Sequence, residues 1–161
     1  MNDTPHQRLE GKVALITGAG RGIGYAGAQA FTRAGARVVL AEIDPDAGRA
    51  AEKQLREAGG EATFVQTDCS NAAEVQRLMQ ATRTLYGGLH VLYNNASIFL
   101  GDADRAVTDL AEETWDRVLA VNLKSVFLCC KYGLPLIMAS GGGTIINTSS
   151  SAGVMGVPGC D

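Results

Sequence analysis

The chain has 161 residues, 46% of them hydrophobic and 19% charged, with twenty glycines and a formal net charge of −3. That length suits one domain able to bury a real core, and the mixing of acids with bases leaves no basic stripe for nucleic acid and no cationic face for a membrane. Cys69, Cys129, Cys130 and Cys160 form no CxxC pair and stand far from His6 and His90, so no metal site is expected and the thiols read as reduced and structural.

Residues Met1 to Lys12 are polar, with Asp3 and Glu10, and lack the apolar stretch of a secretory signal. Five short apolar runs then alternate with longer segments: Val13 to Thr17, Arg37 to Ala41, Ala62 to Thr67, Leu89 to Asn94 and Thr144 to Thr148. Runs such as Val13-Ala14-Leu15-Ile16 are apolar at consecutive positions, which fits strands covered on both faces. The class expected is α/β, a Rossmann-type doubly wound parallel sheet of five strands, incomplete at its C-terminal end.

Between the first two strands, Ile23, Ala26, Ala30, Phe31 and Ala34 recur at helical spacing, and Gly35 follows where a helix would end. Pro45-Asp46 opens a second helix reaching Gly59-Gly60. Asn71 with Glu74 has the pattern of a capping box ahead of Val75, Leu78, Met79 and Thr82, and Gly87-Gly88 closes that third helix. A long fourth helix is expected from Asp109, capping with Glu112, to Gly141-Gly142-Gly143, with Pro135 kinking its last turns. Its Trp115, Phe127 and Met138 read as core or helix-packing residues. The apolar stretch from Val121 to Met138, broken by Lys124, Lys131 and Pro135, reads as too short and too charged to span a bilayer, so a cytoplasmic protein is expected.

The first strand runs straight into Gly18-Ala19-Gly20-Arg21-Gly22-Ile23-Gly24. A dinucleotide's pyrophosphate must approach backbone N–H groups at a helix N-terminus, where glycine removes the obstructing Cβ and the helix dipole favours an anion. Gly18 is expected to make the turn, Gly22 to admit the pyrophosphate and Gly24 to let helix and strand pack closely. A literal GxGxxG at Gly22-Ile23-Gly24-Tyr25-Ala26-Gly27 starts too late after the strand and reads as accidental. Arg21 suits a phosphate contact or a solvated surface equally. Glu42, eighteen residues past Gly24, ends the second strand close to the roughly twenty-residue spacing of a ribose-binding acid. A carboxylate there would repel a 2′-phosphate, which favours NAD over NADP; the bland alternative is a solvated loop acid beside Asp44.

In chain order, Thr17-Gly18-Ala19-Gly20-Arg21-Gly22-Ile23-Gly24, Asp68, Asn94-Asn95-Ala96-Ser97, Asn122 and Asn147-Thr148-Ser149-Ser150 make the sequence resemble the short-chain dehydrogenase/reductase family from Gly11 to Asp161. The resemblance implies hydride transfer between a nicotinamide cofactor and an alcohol or ketone, in a homodimer or homotetramer. It implies that Asp68 and Cys69 line the adenine pocket, that Asn95 and Ala96 contact the cofactor while Asn94 steadies the sheet, that Asn122 holds a water in a proton relay, and that Ser150 hydrogen-bonds the substrate oxygen. On the residues alone, Asp68 has a helix cap as a lesser alternative that could coexist with ligand contact, Asn122 a satisfied core asparagine as a lesser alternative, and Ser150 reads equally as part of a serine-rich turn. Ser97 departs from the family, which has glycine there.

The family's proton donor is a tyrosine about a dozen residues past the serine, paired with a lysine four residues later. No Tyr-x-x-x-Lys follows Ser150 here, and Tyr25, Tyr86, Tyr93 and Tyr132 lie in other contexts. Two expectations result: the N-terminal portion of an NAD-dependent oxidoreductase, cut just before its tyrosine, or an inactive nucleotide-binding or interaction module.

Overall fold

A computed structural model describes residues 8–155; Asp3, His6 and Cys160 lie outside the described residues. Strands β1 (Val13–Thr17), β2 (Arg37–Glu42), β3 (Glu61–Gln66), β4 (Val91–Asn94) and β5 (Thr144–Asn147) form one sheet of order β3-β2-β1-β4-β5. Every pairing in it is parallel. Helices α1 (Gly22–Arg33), α2 (Pro45–Glu57) and α3 (Ala72–Tyr86) connect the first four strands. Between β4 and β5, α4 (Glu112–Leu119), a π-helical turn (Ala120–Lys124) and α5 (Ser125–Ala139) run on as one helix.

Strand β1 is buried at all five positions because it lies mid-sheet with both faces covered. Successive side chains point to opposite faces. Val13 and Leu15 therefore join Val39, Leu78, Leu92, Leu128 and Ile137 in a core shared with α3 and α5. Ala14 and Ile16 join Val38, Leu40 and Leu55 on the face carrying α1 and α2.

The helix ends follow local chemistry with two exceptions. Asp44 caps α2 by accepting from Asp46 N and Ala47 N, with Pro45 in the first turn. Gly87 ends α3 at a left-handed φ of 82°. Asn71 caps α3 through Ala73 N and Glu74 N, but the box does not close: the Glu74 carboxylate accepts instead from Asp68 N at 2.7 Å. Helix α4 starts at Glu112 behind Ala111, without a side-chain cap. Asp109 does not open it because the N–H groups of Asp109 and Leu110 close a separate turn on Ala106 O.

The expected burial of Trp115, Phe127 and Met138 is overturned: they are 53%, 59% and 70% exposed. The sheet and α3 cover only the stripe Ser125, Leu128, Cys129, Gly133 and Ile137, so apolar residues elsewhere on the helix face outward. The reading of this region as too short for a bilayer also fails, since Glu112–Ala139 is 28 residues long and meets the length and composition of a spanning helix. One stripe of it nevertheless packs on the sheet.

His90 stands just before β4 and fastens it to β1: Val13 N donates to His90 Nδ1 at 3.0 Å while His90 N donates to Val13 O. Burial, then the charges of Lys12 and Arg37, hold the imidazole below its ordinary 6.5. Protonation would remove the acceptor facing Val13, so below pH 6.5 the unfolded chain takes up a proton that the folded imidazole resists. Stability, complete above that pH, is expected to fall on acidification. Urea titrations across this range should show the loss in the parent and a smaller one in His90→Asn, which keeps an acceptor without titrating.

Candidate active site at the carboxyl edge of the sheet

The chain crosses the sheet in opposite senses on the two sides of β1, which opens a crevice at the carboxyl ends of β1 and β4, the usual ligand position in such sheets. Thr17, at the end of β1, is 2% exposed, and its hydroxyl oxygen accepts from Asn95 N at 2.9 Å and Ala96 N at 3.0 Å. Asn95 answers with its amide, donating to Thr17 O at 3.1 Å and Gly18 O at 3.4 Å. The end of β4 is thereby bolted to the start of the glycine turn.

Each glycine in the turn has its own physical reason. Gly18 has φ of 64°, and a Cβ there would lie 2.9 Å from Ala96 Cα. At Gly24 a Cβ would lie 2.1 Å from Gly18 O and 2.6 Å from Asn95 Nδ2, so the first turn of α1 sits directly on the loop. Gly22, at φ of 57°, has nothing within 4 Å of its Cβ direction, leaving open space over the helix start. Arg21, at the N-cap, makes no side-chain cap bond, and the first turn holds no acid. Ile23 is exposed beside it. The later GxGxxG match lies inside α1.

Glu42 is buried at the end of β2, and its carboxylate turns back toward the glycine turn. Oε2 accepts from Gly20 N at 3.0 Å, and Oε1 accepts from Ile43 N at 2.9 Å and Asp44 N at 3.1 Å. Backbone N–H bonds from Ala47 and Asp46, then the nearby Arg21 and Arg49, hold the Asp44 carboxyl below its ordinary range.

Asp68 takes the cap-like arrangement, with Oδ1 accepting from Ser70 N at 2.8 Å and the Ser70 hydroxyl at 2.7 Å. Cys69 beside it points inward against Cys129. The hydrogen bond between these thiols and then burial push Cys69 above its ordinary range. Cys69, Cys129 and Cys130 are free thiols.

Asn122, expected inside an apolar helix, lies exposed in the π-helical turn and clamps the loop after β4: its Oδ1 accepts from Ile98 N at 2.8 Å and its Nδ2 donates to Ile98 O at 2.9 Å. Ser150 is exposed past β5, and its Oγ accepts from Ala152 N at 3.2 Å. Two links went unread in the sequence. Asn94 Nδ2 donates to Asn147 Oδ1 at 2.8 Å, and the Thr148 hydroxyl donates to Asn95 Oδ1 at 3.2 Å. Polar residues at the carboxyl ends of two apolar strands were the available signal. Thr17, Gly18, Asn94, Asn95 and Thr148 thus tie three strand ends into one platform, from which Ser150 follows.

Overpacking of this kind costs about 1–3 kcal/mol where neighbours cannot give way. Because backbone faces Gly24, Gly24→Ala is expected to lower unfolding stability by about 2 kcal/mol in urea titration. Gly22→Ala, with open space but a left-handed backbone, should cost about 1 kcal/mol.

The family model for short chain dehydrogenases matches residues 12–161. An uncharacterized oxidoreductase of Thermotoga maritima is 41% identical over 150 residues, 93% of this chain and 57% of its own length. A cyclohexanol dehydrogenase of Acinetobacter is 36% identical, covering 93% of this chain and 59% of the relative. A solved short-chain dehydrogenase/reductase structure from Burkholderia xenovorans superposes with a TM-score of 0.86 at 36% identity, over 92% of this chain and 57% of that one. The chain therefore spans little more than half the length of these relatives. Motif order, parallel sheet, glycine turn and family match agree: the chain belongs to the short-chain dehydrogenase family.

Proposed function

We propose that this chain binds NAD and contributes the nucleotide half of an oxidoreductase that moves a hydride between the nicotinamide and an alcohol or ketone. The observation that carries the reading is the open, uncapped start of α1 at Gly22, in the crevice beside β1 and β4. A dinucleotide fits this cradle: a Cβ at Gly22 would fill the space, and no side chain caps α1 and no acid stands in its first turn. When bound, the cofactor supplies the hydride chemistry.

The protein's own residues divide the remaining work. Gly18, Gly20, Gly22, Ile23 and Gly24 shape the pyrophosphate seat, with Arg21 at its rim. Glu42 sets a negative charge where a 2′-phosphate would lie, and Asp68 and Cys69 border the adenine. Asn95 and Ala96 floor the nicotinamide side. Ser150 donates a hydrogen bond to the substrate oxygen. Asn122 holds the loop at Ile98 and has one amide hydrogen and one oxygen lone pair free for a relay water. Free thiols at Cys69, Cys129 and Cys130 support a cytoplasmic setting.

Serine cannot deliver a proton at neutral pH, and a positioned acid/base is worth about a hundred- to ten-thousand-fold in rate. The 161-residue chain is therefore expected to turn over no secondary alcohol or ketone, and a chain extended through a Tyr-x-x-x-Lys pair to do so, as followed by nicotinamide absorbance. Comparable rates from both would overturn the assignment of the proton donor. In the extended chain NAD(H) is expected to bind more tightly than NADP(H), and Glu42→Ala to narrow the difference; preference of the parent for NADP(H) would sink the cofactor reading.

The exposed face of α4 and α5, with Trp115, Leu123, Phe127, Leu134 and Met138, is read as the seat of a homodimer or homotetramer. Asp116, Lys124 and Lys131 interleave with it, which suits a protein partner better than lipid. Sedimentation of the extended chain is expected to give a dimer or tetramer, and Phe127→Asp to shift it toward monomer.

A further inference from the structure

The geometry points to Glu42 as the residue that holds the phosphate-binding turn in shape, by accepting the Gly20 N–H, in addition to any contact it makes with a ribose. A carboxylate offers about four acceptor positions. Three are already taken, by Gly20 N on Oε2 and by Ile43 N and Asp44 N on Oε1. Two of these are local to the β2 end; the Gly20 bond spans 22 residues and reaches across to the loop after β1.

Position 20 is matched to this arrangement. A Cβ on Gly20 would lie 2.9 Å from Glu42 Cγ, 2.9 Å from Glu42 Oε2 and 2.9 Å from Ala47 Cβ. The neighbouring Ala19 is wholly buried and donates its N–H to Ala41 O at 3.3 Å, a second stitch between the turn and the end of β2. Without the Glu42 bond, the Gly20 N–H would lose a charged acceptor at a partly buried site, and the glycine-rich segment from Gly20 to Gly22 would have little else to fix it. Side-chain length is what makes the bond possible: an aspartate is shorter by one methylene and would leave Gly20 unreached. Charge and reach are separable properties of this residue. The charge sets the preference against a 2′-phosphate, and the reach sets the turn.

Two variants separate them. Glu42→Asp keeps the charge and loses the reach; Glu42→Gln keeps the length, loses the charge and leaves one accepting oxygen instead of two. Amide hydrogen exchange followed by NMR on the ligand-free protein is the primary readout. In Glu42→Asp the Gly20 amide is expected to exchange about tenfold faster, the effect of losing one charge-assisted bond, while Val39 and Leu40 stay protected. Unchanged exchange at Gly20 would overturn the proposal. If Glu42→Asp also loosens β2, Glu42→Gln decides. Its single oxygen can accept on one side only, so faster exchange either at Gly20 or at Ile43 and Asp44, with Leu40 still protected, supports the proposal, and unchanged protection at all three overturns it.

The ligand arm rests on the cofactor reading. Titrated with adenosine and with ADP, Glu42→Asp is expected to lose about tenfold more affinity for ADP, which carries the pyrophosphate, than for adenosine, which carries only the ribose. Equal losses for the two ligands would reduce Glu42 to a ribose contact and overturn the proposal. Absence of ADP binding in the parent would instead refute the cofactor reading, leaving the exchange result standing.

Discussion

The first turn of α1 lies on the loop that leads into it so closely that a single methyl at Gly24 would fall 2.1 Å from Gly18 O. This contact fixes where the helix starts, and the helix start fixes where its N–H groups and dipole are aimed. Around it the protein has placed polar residues that serve structure before chemistry. Thr17 is buried and gives its oxygen to two backbone N–H groups of the β4 end, while Asn95 returns two bonds to the β1 end. Buried polar groups must be satisfied, so these residues can take few other arrangements without leaving a donor or acceptor unpaired.

Polar ties extend to both sides of the crevice, although the buried Asn94 Oδ1 itself has no partner among the described residues. Asn94 couples β4 to Asn147 on β5, and Thr148 reaches Asn95, so the segment carrying Ser150 leaves the sheet from a position set by two strand ends. Asn122 acts from the opposite side. The π-helical turn carries it out of the apolar stripe, and its amide holds Ile98 by both backbone groups. A mid-helix asparagine, unfavourable by propensity, here bonds both backbone groups of Ile98.

Burial divides the molecule unevenly. The β1–β2 centre is closed on both faces, whereas β5 is exposed at Thr144, Ile146 and Asn147, and α4 with α5 turns large apolar residues to the outside. An apolar face of this extent is usual for surfaces that meet other protein. Its position beside β5 puts an exposed apolar face next to the segment that bears Ser150.

The sequence by itself determined the sheet, its parallel sense and the glycine turn. Consecutive apolar residues from Val13 to Ile16 need both faces covered, glycine at 18, 22 and 24 marks a close backbone approach, and capping side chains such as Asn71 act within a few residues of themselves. What only the tertiary structure decided depends on partners far apart in the chain. Whether Trp115, Phe127 and Met138 are covered depends on how much of an all-round apolar helix the sheet can reach, which periodicity does not state. Asp109 lost its capping role to a turn on Ala106 O, a competition between equally local bonds. The direction of the Glu42 carboxylate, toward Gly20 rather than outward, required β1 and β2 to be side by side. Composition and spacing report what a residue can bond to; only the packed chain decides which of those groups arrives within 3 Å.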